Sequence, residues 1–600
     1  MTSKYSNKPV YILGYSGLDN SLEFKQNEFP TFTPEEIRIS QGMDSAAALI
    51  KDGKIVAATE EERFTYKKHS NKFPIHAIRY CLEKEGISIG DVNHITHGFD
   101  YGYCEKFYRH DDFNEKRFEK VYSSSVQKDL LRKNFMLKNL DIVFVPVKHH
   151  DAHAASAFYP SGFETALVVI VDGMGEMYST SIYQTKRDRL IPLKQDGLLS
   201  SLGMFYSMLT YHLGFSINSD EYKVMGLAPY GNHKRFLPIM RETIEFKERG
   251  EVFIPLLLQN KDFIEKESYR GVIDWLSENV IPKRKPNENI TQDHKDLAAT
   301  LQFLLNKAML HIVKYWQKET GEKNLCMAGG VALNCVANGE ILRNNLFEDI
   351  FIQPAAGDDG TAVGSALYQY YAMKPRTERV KENIPFYGYM PSRNEIITTI
   401  EKYKDKITFE LFPQDELFKV VADLLDKGKV IALIQGEMEF GPRALGHRSI
   451  IADPRSSVMK DLINSMVKKR ESFRPFAPSV ISEKAQEYFE LHNSASLPYM
   501  IFTVQVKKKY QSIFPAITHI DGSVRIQTVD RHNNRYYWNL IKAFEEKSGH
   551  PIVLNTSFNI NGQPIVRTVE DAMSTFLTTG IHALVINNYL IFPKTRVEES

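Results

Sequence analysis

Two histidines four residues apart are the clearest candidates for chemistry in this sequence. His149 and His153 lie in the stretch VKHHDAHAASAFYPSGFETALVVIVDGMGE, where a helix would present both imidazole rings from adjacent turns of one face. Asp172 follows an apolar run and begins a turn that contains Gly173 and Gly175. Two imidazoles with carboxylates would suit Fe(II), Mn(II) or Zn(II). The spacing alone is equally compatible with a core histidine beside an exposed one and an ordinary hairpin turn.

Glycine-rich turns are the second candidate feature. MAGGVALNCVANGE, residues 327–340, and PAAGDDGTAVGSAL, residues 354–367, each follow a short apolar run and precede a helical pattern. Glycine permits close backbone contact, and a helix N-terminus favours an anion, so these turns are suited to phosphate. The stretch INSDEYKVMGLAPYG adds Glu221 and Lys223, for which a surface ion pair is the simpler interpretation.

A cluster of basic residues is the third candidate feature. The stretches GPRALGHRSIIADPR and VKKRESFRPFAPSV supply Arg443, His447, Arg448, Arg455, Lys468, Lys469, Arg470 and Arg474. Several of the arginines stand among Gly, Pro, Ala and Phe, which favours a pocket for phosphate, carboxylate or carbamoyl oxygens. A solvated basic face and an RNA-binding patch are the alternatives. Strand ends add Arg525, Gln527, Thr528, Asn555, Thr556, Ser557 and Asn559.

The elements that must position these residues indicate an α/β protein. Through residue 375, short β-branched runs alternate with Gly-containing turns and helical patterns, including a long amphipathic helix over Asp296–Trp316. Apolar periodicity breaks down around Tyr370–Glu395, where Pro and charge accumulate. We therefore predict a first domain over 1–375, a linker over 376–395 and a second α/β domain over 396–600, opening with a helix at Asp415–Lys427.

Composition excludes several classes of protein. The 600 residues contain 75 Lys plus Arg against 74 Asp plus Glu, so no global charge favours nucleic acid or a membrane surface. Four cysteines without a CxxC pair suggest neither a disulfide framework nor a Cys zinc site. No secretory leader or long apolar run is present, and no P-loop, GxSxG or kinase motif is found. These features predict a cytoplasmic protein without membrane or nucleic-acid partners.

Taken together, the motifs resemble those of the antibiotic O-carbamoyltransferases, which include nodulation-factor, cephamycin, novobiocin-type and tobramycin enzymes. The matching stretches are EERFTYKKH, HHDAHAASAFYPSGF, VDGMGE, EYKVMGLAPYG, AGGVALNCVANG, GDDGTAVG, FGPRALGHRSI, FRPFAPSV and NTSFN. They follow the family's order from about residue 10 to about residue 590. The resemblance therefore covers nearly the whole chain.

The resemblance implies both a fold and a reaction. It implies an N-terminal ASKHA domain, actin/Hsp70-like and similar to the tRNA threonylcarbamoyl-transfer protein, and a C-terminal YrdC-like domain. ATP and carbamoyl phosphate, with Mg(II) for ATP, would form carbamoyladenylate and pyrophosphate. The carbamoyl group would then pass to a hydroxyl of a small alcohol, such as an aminoglycoside, an oligosaccharide or a saxitoxin-type alkaloid. We expect a monomer or a homodimer.

The resemblance also implies roles for individual residues. A divalent metal, usually iron in the family, would be held by His149, His153, Asp172 and Asp358. Nucleotide or phosphate contacts would come from Gly173, Gly175, Gly329, Gly330, Asn334 and Asp359. Carbamoyl phosphate and ATP would be bound by Arg443, Arg448, Lys468, Arg470, Arg474, Arg525, Asn555, Ser557 and Asn559. The predicted catalytic residues are Asp44, His150, Asp172, Lys223, Arg443 and Lys468.

One departure from the family pattern concerns the acceptor's base. Most relatives carry His-Asp at the start of the SAAAL segment, whereas this chain has Met43-Asp44 after an insertion from about Leu18 to Gln41. Asp44, His149 and His150 are the candidate replacements, and direct activation of the hydroxyl by the metal is the alternative. The insertion and residues 98–139 are our candidates for acceptor recognition.

Two other functions share this fold. One is tRNA threonylcarbamoyl transfer, and the other is a phosphate- or nucleotide-sensing protein that has lost the chemistry. The balanced charge disfavours the first, and the full set of site residues disfavours the second.

Overall fold

The computed structural model describes residues 8–137, 142–186, 189–375, 377–379, 381–382, 384–491 and 496–594. The first part of the chain contains two five-stranded sheets of the same design. In spatial order, the strands of one sheet are Lys54–Glu60, Ala46–Lys51, Tyr11–Tyr15, His94–His97 and Val143–Pro146. The strands of the other are Arg189–Asp196, Thr180–Lys186, Leu167–Val171, Asn324–Ala328 and Asp349–Ile352.

Strand directions repeat between these two sheets. In each, two successive antiparallel pairings are followed by two parallel pairings. The central strand Leu167–Val171 is buried along its whole length, which explains its uninterrupted Leu-Val-Val-Ile-Val sequence. The duplicated arrangement confirms the predicted ASKHA-type α/β fold of this part of the chain.

Helices pack against these sheets and carry the candidate residues. The longer helices of this part are Ile75–Glu85, Ser124–Phe135, His149–Ser161, Leu202–His212, Arg270–Asn279, Gln292–Thr320, Cys335–Arg343 and Gly360–Met373. Gln292–Thr320 is the long amphipathic helix that the sequence predicts, extended at both ends. Thr291 begins it with a capping box, and Gly321 ends it in the left-handed conformation.

A close helix–helix contact brings the two halves of the candidate metal cluster together. Helix His149–Ser161 begins with the first histidine, and helix Gly360–Met373 begins just after Asp358. A Cβ atom at Gly364 would lie 1.8 Å from the carbonyl oxygen of Ala152. Only glycine allows this approach, so Gly364 sets the distance between the two helices.

The second part of the chain forms one mixed eight-stranded sheet. Its strands in spatial order are Ile407–Leu411, Tyr589–Pro593, Ala583–Ile586, Ile431–Ile434, Arg448–Ala452, Ile552–Ser557, Ala477–Ile481 and Gln527–Val529. Helices Gln414–Asp426 and Arg535–Ser548 share a buried apolar cluster with this sheet. The first of these helices matches the predicted Asp415–Lys427. The α/β class of this part is thus confirmed, and its likeness to YrdC stays a prediction.

The predicted linker connects these two parts. Ala58 donates its backbone N–H to the carbonyl oxygen of Tyr387, and Phe386 pairs with Glu439. Helix Arg393–Tyr403 already begins within the predicted 376–395 linker. Residues 376, 380 and 383 lie outside the described part, and the exact domain division stays a prediction.

Within the described ranges, every helix is too short or too polar to cross a lipid bilayer.

Candidate active site

One cavity of about 1060 Å³ collects most of the predicted site residues. Its wall is formed by both parts of the chain. At one end it includes Asp172 and Asp358, and at the other Arg443 and Lys468. The sequence alone does not say that these groups face one shared space.

The four predicted metal ligands converge at the first end of the cavity. His149 Nε2 lies 3.1 Å from His153 Nε2, 3.3 Å from Asp172 Oδ2 and 3.4 Å from Asp358 Oδ1. One donor atom from each of the four residues falls within 4.8 Å of all the others. Both histidines are fully buried on the helix that the HxxxH spacing predicts.

The surroundings of these donors fit a divalent cation. His149 Nδ1 lies 3.0 Å from the carbonyl oxygen of Gly98, which fixes that nitrogen as the donor and leaves Nε2 facing the cluster. Two carboxylates meet beside two buried imidazole nitrogens, so the cluster favours a positive charge between them. Burial acts to lower the pKa of His149, but Asp358 and Asp172 raise that pKa well above its ordinary value. The cluster therefore favours a cation, and the N2O2 set fits Fe(II), Mn(II) or Zn(II).

Two glycine-rich turns meet beside this cluster. The backbone N–H of Gly330 donates to Asp172 Oδ1 at 2.8 Å. Gly173, Gly330 and Asn334 line the cavity, as expected of phosphate or nucleotide contacts. Asn334 also caps the following helix by accepting a hydrogen bond from the N–H of Ala337.

Three predicted nucleotide contacts do not line the cavity. Gly329 has φ +92°, and a Cβ there would lie 2.4 Å from the carbonyl oxygen of Val171, so its role is to permit the turn. Gly175 packs against His149 and His150. Asp359 is buried and accepts a hydrogen bond from the N–H of Gly360 at the start of its helix. The structure therefore places these three residues outside the cavity, where backbone geometry, close packing and helix capping account for them, and their contact with a nucleotide stays a prediction.

The second end of the cavity is strongly basic. Arg443, Lys468, Arg470, Arg474 and Arg525 line it together with Asn555, Ser557 and Asn559. Lys468 Nζ donates to Asn559 Oδ1 at 2.7 Å and to the carbonyl oxygen of Ser557 at 2.5 Å. The amide of Asn555 is held by Ser479 Oγ, Gln527 Oε1 and the carbonyl oxygen of Ala444.

These cations are incompletely neutralised by the protein. Burial, followed by repulsion from Arg525, lowers the pKa of Arg443 to about 9. Burial and then Arg474 lower the pKa of Arg470 to about 9 in the same way. Nε of Arg443 and Nε of Arg525 are buried without an acceptor. Buried donors and uncompensated charge of this kind are stabilised by a bound anion.

Arg448 does not belong to this basic cluster. Its side chain is fully buried outside the cavity, and its guanidinium group donates to the backbone oxygens of Gln435, Gly436, His447 and Tyr389. Its two terminal nitrogens already donate to protein carbonyls, while its Nε is buried without a hydrogen-bond partner. The structure therefore places Arg448 apart from the basic end of the cavity, and its predicted contact with phosphate stays a prediction.

Lys223 lies on the cavity wall between two carboxylates. Its Nζ is 3.0 Å from Asp220 Oδ2 and 3.1 Å from Glu471 Oε1. Glu471 lies within the basic stretch VKKRESFRPFAPSV of the second part of the chain, so this ion pair joins the two parts. A phosphate contact by Lys223 stays a prediction.

The predicted base candidates separate in the structure. His150 is buried away from the cavity, its Nδ1 lies 2.7 Å from Ser181 Oγ, and burial followed by His149 lowers its pKa to about 3. The structure thus places this ring apart from the residues that line the cavity, and its catalytic role stays a prediction. Asp44, in contrast, lines the cavity, and its Oδ1 lies 2.8 Å from Nδ1 of His69.

Sequence reasoning missed His69 as a site residue. It belongs to the EERFTYKKH stretch, which signalled the family without assigning a role to each residue. Lys68 and Glu62 line the cavity around it and were likewise not selected. Glu221 also lines the cavity, whereas the sequence favoured a surface ion pair for it. The feature that identifies His69 is its contact with Asp44, and both residues have left-handed backbone conformations. This contact depends on non-local packing, so no local sequence pattern predicts it.

The predicted acceptor-recognition segments also reach the cavity. Phe24, Lys25 and Gln41 of the insertion line it, as do Arg117 and Tyr122. Gln41 Nε2 donates to the carbonyl oxygen of Gly175 at 2.8 Å and so fastens the insertion to the turn after Asp172. Lys266, Glu267 and Tyr269 complete this part of the wall and were not predicted.

Comparison with known proteins gives matches along most of the chain. Residues 38–367 match the family model described as Carbamoyltransferase N-terminus, and residues 422–592 match the one described as Carbamoyltransferase C-terminus. The nodulation protein NolNO of Sinorhizobium fredii is 38% identical over 93% of this chain and 80% of its own length. NolO of Bradyrhizobium diazoefficiens is 41% identical over 74% of this chain and 78% of its own length. An uncharacterised Synechocystis protein is 39% identical over 91% of this chain and 95% of its own length.

Proposed function

The chain belongs to the carbamoyltransferase family, and on that premise we propose that it is an ATP-dependent O-carbamoyltransferase acting on a small alcohol. The observation that carries the proposal is the shared cavity, with a His–Asp cluster at one end and an under-neutralised basic cluster at the other. Carbamoyl phosphate and ATP are anions, so they need a basic site such as the second end of the cavity. The alcohol needs a separate site at which it can receive the carbamoyl group.

The basic end is the proposed site of activation. Carbamoyl phosphate, ATP and water would yield carbamoyladenylate, phosphate and pyrophosphate there. Arg443, Arg470 and Arg525 offer planar donors to the phosphate oxygens. Lys468 is fixed by Ser557 and Asn559, so that its ammonium group is held at the cavity wall. The buried donors of Arg443 and Arg525 would gain acceptors on binding, which favours the loaded state.

The His–Asp end is the proposed site of transfer. His149, His153, Asp172 and Asp358 would hold Fe(II), with Mn(II) or Zn(II) as alternatives, while Mg(II) would accompany ATP. A bound divalent ion would supply positive charge beside the phosphate of the leaving AMP. The N–H of Gly330 keeps Asp172 in place, and Gly173 and Asn334 offer close contact to the nucleotide.

The alcohol would enter along the wall formed by the insertion. Phe24, Lys25, Gln41, Arg117 and Tyr122 supply apolar, charged and hydrogen-bonding surface there. An aminoglycoside, an oligosaccharide and a guanidinium alkaloid all combine hydroxyls with other polar groups, so each is included in the proposed acceptor class. The proposed location is the cytoplasm, without a membrane or nucleic-acid partner.

A mass-spectrometric screen of alcohols with ATP and carbamoyl phosphate tests the proposal. We expect at least one member of these classes to gain a carbamoyl group, with AMP formed in equal amount. No AMP formation with any acceptor would instead favour a nucleotide- or phosphate-sensing protein. Gel-shift binding of tRNA at physiological salt would instead favour threonylcarbamoyl transfer. Salt weakens non-specific electrostatic binding to RNA, so binding that persists at that salt concentration would indicate a specific complex.

A further inference from the structure

Asp44 and His69 form a hydrogen-bonded pair on the wall of the cavity. Asp44 Oδ1 lies 2.8 Å from His69 Nδ1, and both residues line the cavity. The side chains are 36% and 26% exposed, so each is partly open to that space. The carboxylate of Asp44 accepts the hydrogen bond from Nδ1–H, so Nε2 is the nitrogen of His69 that can accept a proton from a substrate.

The backbone holds this pair in an unusual conformation. Asp44 has φ +53° and His69 has φ +54°, both in the left-handed region that residues other than glycine seldom adopt. The N–H of Ser45 donates to the carbonyl oxygen of Ser70 at 2.8 Å and ties the two segments together. Glu62 Oε2 accepts the N–H of His69 at 3.1 Å. Strain of this kind persists where the surrounding structure enforces a functional geometry.

The charged surroundings of His69 are mixed. Burial acts to lower the pKa of its ring, and Lys68 acts in the same direction, but Asp44 and Glu62 outweigh them, so the net direction is upward. Glu221 lines the same cavity. Burial raises the pKa of its carboxyl group, and His69 acts in the opposite direction. An imidazole oriented by a carboxylate and open to a cavity is the arrangement required of a general base.

We propose that His69, oriented by Asp44, is the general base that activates the acceptor hydroxyl, an inference that rests on the proposed function. Nε2 of His69 removes the hydroxyl proton while the oxygen forms a bond to the carbamoyl carbon of carbamoyladenylate. The bond between that carbon and the phosphate oxygen breaks, and AMP leaves with the electron pair. The proton passes from His69 to solvent. The pair thus takes the place left by Met43.

The proposal can be tested with two small nucleophiles on the full-length protein. Water needs a base to remove its proton during attack, whereas hydroxylamine is neutral and strongly nucleophilic at neutral pH. AMP release from ATP and carbamoyl phosphate is measured with each probe for the wild type, His69→Gln and Asp44→Asn. Carbamoyl-phosphate-dependent exchange of labelled pyrophosphate into ATP reports the activation step separately.

His76→Gln is the matched control. His76 Nδ1 lies 2.5 Å from Glu61 Oε1, so it is also a histidine–carboxylate pair, but it does not line the cavity. We expect this variant to match the wild type with both probes. We expect His69→Gln to lower AMP release with water by about 100-fold while retaining hydroxylamine turnover and pyrophosphate exchange. Asp44→Asn should show the same selective loss, to a smaller degree.

Several outcomes would overturn the inference. An equal loss with water and hydroxylamine in His69→Gln would indicate a structural role, and no loss with water would exclude the base. A wild type that uses hydroxylamine and never water would also count against a base poised for oxygen nucleophiles. Absence of pyrophosphate exchange in the wild type would refute the proposed function itself, and the inference with it.

Discussion

Gly330 and Asp172 are joined by a 2.8 Å hydrogen bond from a backbone N–H to a carboxylate oxygen, although 158 residues separate them. The other carboxylate oxygen of Asp172 lies 3.3 Å from His149 Nε2. One side chain thus positions a glycine-rich turn against the histidine cluster. Loss of its charge should affect the transfer end of the cavity and leave the basic end intact.

Asp172→Ala should therefore separate the two proposed steps. We expect carbamoyl transfer to stop while carbamoyl-phosphate-dependent pyrophosphate exchange continues near the wild-type rate. Arg474→Ala should stop both carbamoyl transfer and pyrophosphate exchange, because Arg474 lines the basic end of the cavity. Its guanidinium carbon lies 4.6 Å from the centre of the Tyr222 ring. Asp349→Ala, at an exposed strand position, is the control. An equal loss of exchange in both cavity variants would contradict a two-site mechanism.

Arg443→Ala should weaken anion binding and stabilise the empty protein. The removed guanidinium group offers charged hydrogen bonds worth about 1.5–3 kcal/mol, so the dissociation constant for carbamoyl phosphate should rise about 10- to 100-fold. Burial of Arg443, with repulsion from Arg525 and Arg474, also destabilises the ligand-free state, so the Tm of Arg443→Ala without ligand should rise. Calorimetric titration and thermal unfolding measure both effects. A lower Tm with unchanged affinity would contradict the assignment.

Arg448→Ala should have the opposite effect on stability. Four carbonyl oxygens would lose their buried donor, at a cost of about 3 kcal/mol or more. We expect a clear fall in Tm, with any loss of activity following the loss of folded protein. Arg448→Lys tests whether charge alone suffices, and it should recover little, because one ammonium group cannot reach all four oxygens. A wild-type Tm for Arg448→Ala would show that the carbonyls find other donors.

Metal content provides a test of the histidine cluster that does not depend on turnover. We expect the purified wild type, reconstituted with Fe(II) and desalted without oxygen, to retain one ion per chain. His153→Ala should retain much less, since it removes one of four ligands. His150→Gln is a neighbouring control whose ring faces Ser181, and it should keep the metal. Elemental analysis distinguishes these results, and equal retention by both variants would refute the ligand set.

Lys25 should make stability depend on pH in the alkaline range. Burial, only partly offset by Glu267, lowers the pKa of Lys25 from 10.5 to about 8 in the folded protein. Between these values the unfolded chain binds more protons than the folded one, so the free energy of unfolding rises with pH. The gain is at most about 3 kcal/mol and is lost as pH falls through about 8. The Tm of the wild type relative to Lys25→Met should therefore rise from neutral pH to about pH 10. A constant difference would contradict the shift.

Local sequence patterns determined the helix that carries the histidines, the α/β class and the family of this protein. The four-residue spacing of His149 and His153 specifies one face of a helix, because helical periodicity depends only on near neighbours. Alternating strand and helix patterns predicted the α/β class, and the ordered motifs predicted the family. Asp172 was a candidate ligand from its place in the turn after the apolar run, Asp358 was added through the resemblance, and the structure brings both to the histidines.

Tertiary structure alone decided which polar residues share the cavity. Arg443 and Arg448 stand five residues apart in one motif, yet the first faces the cavity and the second holds backbone oxygens. His69 reaches Asp44 because a strand pairing and the Ser45–Ser70 hydrogen bond join their segments. A side chain's partner depends on packing between distant segments, and local periodicity carries no information about that packing.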